Sequence, residues 1–345
     1  MALWLVRAGR HGEHEQRFLE EGRAYLSWSD LNHDLSKIED RDGLRSLLEE
    51  TYPDAAKNKI TNHLGQVWAF VTKIAVGDWI VLPSKQKSAI HLGKVKSGYT
   101  HNPTGENQYF HYMDVEWFAQ DIPRSNFDQD LLYSFGAFMS ICQIKRHDAE
   151  QRVQAMAKNG WKASAVAVTV THSEDDDEIP DETTSGHNLE EIARDGISRQ
   201  IIAKFKGHGM ERLVASILEA QGYVTHKSPV GADKGVDILA APAPMGFGEP
   251  RICVQVKSSD SPLDRPTLDQ LIGTMQNMNT QYGLLVSWGG FKSSVDKEKA
   301  SQFFRVRLWD QNDLIDNFLE HYDDLDEDIR AEIPLKRMWA LSIGD

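Results

Sequence analysis

The tightest constraint on this chain lies in two short apolar stretches, residues 236–241 in GADKGVDILA and 251–258 in RICVQVKSS, joined by a Pro- and Gly-rich connection. Both are shorter than a helix needs and are bounded by turn residues, so they read as neighbouring strands. Before them come a helical stretch, ERLVASILEAQGY, stopped by Gly222, and a strand-like Tyr223-Val224-Thr225. After them come a helix over 267–278, a short buried strand over 283–287, another over 303–309 and a helix over 310–319. This α-β-β-β-α-β order, with one helix crossing between two strands, calls for a layered α/β domain.

Side chains alternate faces along a strand. Gln255 and Lys257 are therefore expected to project together, while Val254 and Val256 turn to a core. Asp237 is expected to project opposite to its apolar neighbours Val236 and Ile238, and a hairpin would gather it with Gln255 and Lys257. Hard oxygen ligands from Asp237 and Gln255 would hold Mg2+, with Mn2+ able to substitute, together with a main-chain carbonyl, a phosphate and waters. Metal so held lowers the pKa of a bound water. Lys257 would orient that water and neutralise the charge of a pentacovalent transition state. Glu211, at the head of its helix, would bind the metal directly or through water. Taken singly, these residues have ordinary readings, an Asp that caps a turn or a solvated Lys on an edge strand. Order and spacing carry the functional reading. Lys234, Ser258 and Gln270 are candidates for phosphate contact around this group, and Asp233 serves the turn.

The chain has 345 residues, a length that favours two domains. Its net charge of −14 argues against a simple polyanion binder until the charge is mapped. Residues 174–195 hold ten acids against one Arg, and residues 310–330 hold nine against one Arg. The acidity is thus concentrated in an expected linker and a C-terminal segment, and the remainder is mildly basic, about +3. The only cysteines, Cys142 and Cys253, fall in different expected domains, so a disulfide is not expected and a reducing cytoplasm is. No apolar run reaches the ~18 residues of a membrane span. The opening MALWLVRAGRHGEHE lacks the pattern of a signal peptide. No Walker motif is present, so no nucleoside triphosphate partner is expected. His11-x-x-His14 lacks further ligands for a metal.

Residues 1–146 read as an α+β unit, with strands at 3–6, 23–28, 79–82, 90–95 and 109–118 and helices at 10–22, 41–51 and 58–73. Residues 138–144 form a last apolar segment. Residues 147–160 look helical, 163–170 form a short strand or an extended link, and SEDDDEIPDETTSG reads as a flexible linker. The expected organisation is a first domain over 1–146, helix and linker over 147–190, a second domain over 191–320 and a tail over 321–345. In the first domain Trp28 ends a strand before a polar loop. It is either a packed Trp at a turn or, with Ser27 and Asp30, a platform that stacks on and reads a flipped base. Lys85 and Lys87, near Lys94, Lys96, Arg7 and Arg10, form either a phosphate-contacting patch or a solvated hairpin.

The motifs GMERLVASILEAQGY, GADKGVDILA, CVQVKSS and LDQLIGTMQNMNTQYGLLVSWGGF, in that order, resemble the Mrr-type restriction endonuclease branch of the PD-(D/E)xK nuclease superfamily over about residues 195–310. Most of that superfamily has Asp or Glu as its third ligand; the Mrr branch commonly has Gln, and Gln255 follows the branch. The resemblance implies a three-layer α/β/α core with a mixed sheet, and Mg2+-dependent hydrolysis of phosphodiester bonds in double-stranded DNA. The stretches WLVRAGRHGEHEQRFLEEGRAYLSWSDLNHDLS and AFVTKIAVGDWIVLPSKQKSAIHLGKV resemble the PUA superfamily, in particular EVE and YTH domains. That resemblance implies a small β-barrel with helices and a base-binding pocket. The expected fold class is therefore α/β and α+β in two domains. The implied function is that of a modification-dependent, type IV-like restriction endonuclease acting in defence against phage or foreign DNA. Its substrate would be base-modified duplex DNA, and it would work as a homodimer or higher oligomer because one site cuts one strand. Two other readings stay open: an RNA-directed or DNA-repair nuclease, because PUA-like domains often bind RNA, and a non-cleaving sensor, against which the intact Asp237/Lys257 pair speaks.

Overall fold

A computed structural model describes residues 1–137, 139–161, 189–228 and 235–339. The chain divides into two units, one reaching Ile192 and the other beginning at Ala193. The expected link at 163–170, the acidic linker, Asp233 and Lys234 lie outside the described residues.

The first unit runs β1 (Leu3–Val6), α1 (Glu15–Glu21), β2 (Arg23–Tyr25), α2 (Arg41–Thr51), α3 (Lys57–Thr72), β3 (Trp79–Pro83), β4 (Ala89–Val95), β5 (Thr100–His101), β6 (His111–Pro123), α4 (Gln129–Phe135), β7 (Ile141–Gln143) and α5 (Ala149–Lys158). One sheet joins its strands in the order β2-β6-β4-β3-β1-β7, with β5 also on β6. The small barrel expected from sequence is realised as a half-barrel. Among the described residues no pairing closes β2 onto β7. The curvature has visible causes. The pairing of β4 with β6 shifts register twice, and bulges of this kind bend a sheet. A Cβ at Gly93 would lie 2.4 Å from Val115 Cγ1, so only glycine lets β6 cross β4 that closely.

Both faces of this sheet are covered. Trp4 and Val6 pack in one core cluster with α2 and α3, while Leu3 and Leu5 pack in the other with α4 and α5. That is why β1 is an unbroken apolar run. Asp78, in the Val-Gly-Asp-Trp turn, stitches β1 to β3: its carboxylate accepts from Ala2 N–H (2.7 Å), Trp4 Nε1–H (3.1 Å) and Ala75 N–H (3.1 Å). α4 went unread in the sequence because its two turns are too short to show a period.

The second unit runs α6 (Leu189–Phe205, whose first four residues belong to the first unit), α7 (His208–Ala220), β8 (Val224–Lys227), β9 (Ile238–Ala241), β10 (Ile252–Lys257), α8 (Arg265–Asn277), β11 (Tyr282–Ser287), α9 (Ser293–Asp296), β12 (Val306–Trp309), α10 (Gln311–Glu320) and α11 (Glu327–Glu332). Its sheet has the order β12-β11-β10-β9-β8. β10, β11 and β12 are parallel, whereas β9 and β8 join antiparallel. The sheet is thus mixed and sandwiched. Residues of α6, α7 and α10 form one core with Ile238, Val254 and Val256, and residues of α8 and α9 form the other with Cys253 and Leu285. The strand expected at 303–309 starts only at Val306, and Phe303 and Phe304 stand exposed before it. α10 opens on a capping box in which Asp310 accepts from Asn312 N–H and Asp313 N–H, so part of the C-terminal acidity is structural.

In the first unit His111 is fully buried between Tyr99 and His101. Its Nε2–H donates to Leu31 O and its Nδ1 pairs with Tyr99 Oη at 2.7 Å. Burial pushes its pKa down to about 4. A depressed His contributes stability in full above its unfolded value near 6.5, and that contribution is lost as pH falls through the folded value. Thermal melts from pH 7 to 4 should therefore show a falling midpoint, and His111→Gln should flatten that slope. An equal slope in the variant would remove His111 from the account.

Candidate active site in the second unit

β10 positions the site. Val254 and Val256 belong to the α7-side core and Cys253 to the α8-side core. Gln255 and Lys257 therefore share the α8 face, as alternation predicts. Asp237 differs from its expected setting. It precedes β9 rather than lying within it, and its neighbours Val236 and Ile238 pack in opposite cores. The backbone turns as it enters the strand, and the carboxylate comes to lie along the ladder rather than on a face. Asp237 N–H donates to Val254 O at 3.0 Å, and Asp237 Oδ2 accepts from Val256 N–H at 2.6 Å. The two bonds bracket residue 255. A carboxylate bonding a main-chain N–H is a strong, charge-assisted contact, so Asp237 is held where β9 and β10 part.

Gln255 is 2% exposed, and its Oε1 has no hydrogen-bond partner among the described residues. An unpaired buried amide oxygen costs about 1–3 kcal/mol, so its retention asks for an explanation. Lys257 is half-buried and has no ion-pair partner among the described residues. Cys253 lies deep on the same face as Gln255. Burial first, and then the negative charge of Asp237, pushes its thiol up to about 11. That thiol is an inert neighbour of the carboxylate that sequence reading did not single out.

Glu211 sits in the first turn of α7, and its Oε1 is 2.9 Å from His208 Nδ1. Gly207 N–H donates to Ser258 Oγ at 2.9 Å, which ties the turn before α7 to the exit of β10. Glu211 is thereby brought to the Lys257 end of the strand, but on the face opposite to Gln255, because α7 packs on Val254 and Val256. Ser258 is thus already engaged by backbone. Gln270 is exposed on α8. Gly235, at φ +83°, passes so close to that helix that an added Cβ would lie 3.2 Å from Thr274 Oγ1 and 3.4 Å from Gln270 Nε2. Gln270 therefore flanks the turn that delivers Asp237.

The metal that the Mrr-type resemblance implies can be tested on these atoms. Among the described residues no three His, Cys, Asp or Glu side chains stand as a ready ligand group. The donor set that fits is mixed: a fixed carboxylate oxygen from Asp237 and an orphaned amide oxygen from Gln255, both hard donors suited to Mg2+.

In the first unit the residues expected to touch nucleic acid are mostly engaged. Lys85 Nζ lies 2.9 Å from Glu191 Oε2, and Lys87 Nζ lies 3.4 Å from Asp121 Oδ1. Burial raises the Glu191 pKa, but Arg124, Arg7 and Lys85 outweigh it and leave the carboxyl below its usual range. Trp28 stacks on His63, with ring centroids 4.4 Å apart and planes inclined by 23°, and packs against the core. Asp30 is exposed at φ +66° and exchanges two hydrogen bonds with Asn107, at 2.8 and 3.1 Å. Ser27 is half-buried beside them. His63 and Asn107, the partners of Trp28 and Asp30, went unnoticed because they are distant in sequence.

Residues 202–318 match the model of the Mrr_cat family, a restriction endonuclease. The second unit carries a restriction endonuclease domain of this type. Residues 4–134 match the model of a domain of unknown function, DUF8426. No curated protein matches the chain. Among solved structures, the chain is similar to AspBHI, a DNA modification-dependent restriction endonuclease, at 13% identity and a TM-score of 0.32 over 88% of this chain and 76% of that one. It is also similar to the MspJI restriction endonuclease in complex with a 27-mer oligonucleotide, at 13% identity and a TM-score of 0.28 over 96% of this chain and 80% of that one. Both are distant likenesses.

Gln255 gives the sharpest test of the donor set. Gln255→Leu should raise the melting temperature of the metal-free protein, by about 1 kcal/mol of stability, because it removes an unpaired buried oxygen. It should also abolish the further rise produced by Mg2+, and Gln255→Glu should enlarge that rise. An unchanged Mg2+ response in Gln255→Leu would exclude Gln255 as a ligand.

Proposed function

We propose that this protein is a modification-dependent restriction endonuclease that hydrolyses phosphodiester bonds of double-stranded DNA with Mg2+ or Mn2+. The observation that carries the reading is the fixed Asp237 carboxylate beside the orphaned Gln255 oxygen, at the end of the strand that bears Lys257, inside a restriction endonuclease domain.

Asp237 is oriented before any ligand arrives, because the Val256 N–H holds one of its oxygens. A site ordered in advance spends little binding energy on reorganisation. Asp237 and Gln255 would hold the metal, with Glu211 reaching it directly or through water from the other face. Metal bound there supplies an activated water and charge neutralisation at the scissile phosphate. Lys257 places its ammonium at the attacked phosphate, where the negative charge of the pentacovalent transition state accumulates. Ser258, Gln270 and Lys234 are assigned to the flanking phosphates. One such site cuts one strand, so a homodimer or higher oligomer is required for a double-strand break.

The first unit would supply selectivity as a PUA/EVE-like reader. Trp28, Ser27 and Asp30 lie at one loop, and the Trp28–His63 stack supplies an aromatic wall at its base. Lys85 and Lys87 would exchange their carboxylate partners for DNA phosphates. The biological setting proposed is a cytoplasmic defence against phage or foreign DNA.

Three measurements test the reading separately. Mg2+-dependent cleavage of matched duplexes, unmodified, methylated, hydroxymethylated and glucosylated, should be confined to one modified form, and Asp237→Ala should abolish it. Lys257→Ala should cut at least a hundredfold more slowly with DNA binding nearly intact. Equal cutting of all duplexes would remove the modified-base reader, and a preference for RNA would replace the substrate. Trp28→Ala should erase discrimination between modified and unmodified duplex while leaving basal cutting in place; retained discrimination would place the reader elsewhere.

A further inference from the structure

The second unit exposes large apolar side chains at one end of its sheet. Val224 begins β8 and pairs with Ala241, the last residue of β9. The connection from β9 to β10 carries Met245 and Phe247, and a Cβ at Gly246 would lie 3.6 Å from Val224 Cβ. Tyr282 begins β11 opposite Ile252, which begins β10. Phe303 and Phe304 lie one residue before β12, whose first residue, Val306, pairs with Gly283. These six side chains therefore form a rim across all five strands. Their exposures are 46% for Val224, 78% for Met245, 73% for Phe247, 42% for Tyr282, 53% for Phe303 and 82% for Phe304.

At ~200 Å² for a fully exposed large side chain, those fractions amount to roughly 700 Å² of side-chain surface. The largest apolar patch of a typical monomer is about 300–600 Å². A standard protein interface takes about 800 Å² from each partner. The summed exposure of the six side chains thus approaches the area that one side of a standard interface takes. Aromatic residues, Met and Arg are the types enriched at interface centres, and exposed Arg251, Arg305 and Arg307 flank the rings. The Arg307 guanidinium lies 4.2 Å from the centre of the Phe303 ring. Glu249, also exposed, lies in the same connection as Phe247. Both charge signs on one apolar surface suit a two-fold pairing, in which each copy sets its carboxylate against an arginine of the other.

We propose that this rim is the surface through which two copies of the chain associate. It lies at the opposite end of the sheet from the candidate active site. β10 has six residues, and at ~3.3 Å each Lys257 is roughly 20 Å from the rim. Pairing through it leaves both catalytic ends facing outward onto separate segments of duplex, so this pair does not itself bring two sites to one duplex, and the double-strand cut then calls for a higher oligomer in which sites of different pairs meet.

The test is the mass of the full-length protein in solution at tens of micromolar, by sedimentation or light scattering. The wild type should have twice the 39.0 kDa of one chain. Phe247→Asp with Phe304→Asp should reduce it to a single-chain mass, with an unchanged circular dichroism spectrum. Met245→Lys with Tyr282→Lys should do the same and stands in if the first pair misfolds. A monomeric wild type, or a dimer that survives both pairs, overturns the proposal. So does a rim variant that keeps its mass and loses affinity for duplex DNA, which would make the rim a nucleic-acid surface. The mass readout is independent of the chemistry: Asp237→Ala should leave the dimer intact, and failure of the nuclease reading would leave this test standing.

Discussion

The candidate site depends on one hydrogen bond, from Val256 N–H to the Asp237 carboxylate. β9 and β10 pair through Ile238, Leu239 and Ala240 and then diverge. At the point of divergence the side chain of Asp237 takes the place of a backbone acceptor. That substitution satisfies the main-chain donor of Val256 and holds a carboxylate beside Gln255. The β9–β10 ladder ends at the Val254–Ile238 pair, so Gln255 and Lys257 lie on the part of β10 beyond it.

The rest of the second unit serves that junction. Cores on both faces of β10 leave Gln255 buried. The parallel β10-α8-β11 unit brings Gln270 and Thr274 against Gly235, the hinge that delivers Asp237. The turn before α7 is bonded to Ser258, which brings Glu211 to the same end. Among the described residues the buried Gln255 oxygen lacks a partner, and the metal ion of the proposed function would give it one.

The first unit is organised by different means. Its half-barrel curves through register shifts and the bare Gly93, and Asp78 locks its first strand in place. Lys85 and Lys87 face carboxylates, so the mildly basic remainder of the sequence does not translate into an open basic face there. Charge counted along a chain reports supply, whereas pairing in space decides what is left for a partner.

Much of this was legible in the sequence. The boundaries of α6 and α2, the strands β3, β4, β10 and β11, and the shared face of Gln255 and Lys257 follow from periodicity and turn residues, which act over a few neighbours. The extent of β12 was misjudged, because Phe303 and Phe304 carry strand propensity but find no core. The surroundings of Asp237 were misjudged too, since strict alternation assumes a strand that continues through it. By itself the sequence determined the order of elements, the separation of the acidic segments and the set of residues proposed here for metal-assisted chemistry. Tertiary structure alone decided which face each occupies, that Glu211 and Gln255 approach from opposite sides of the sheet, that Trp28 stacks on His63, and that six apolar side chains collect at one end of the sheet. Those relations depend on contacts between residues far apart in the chain, and no local pattern encodes such contacts.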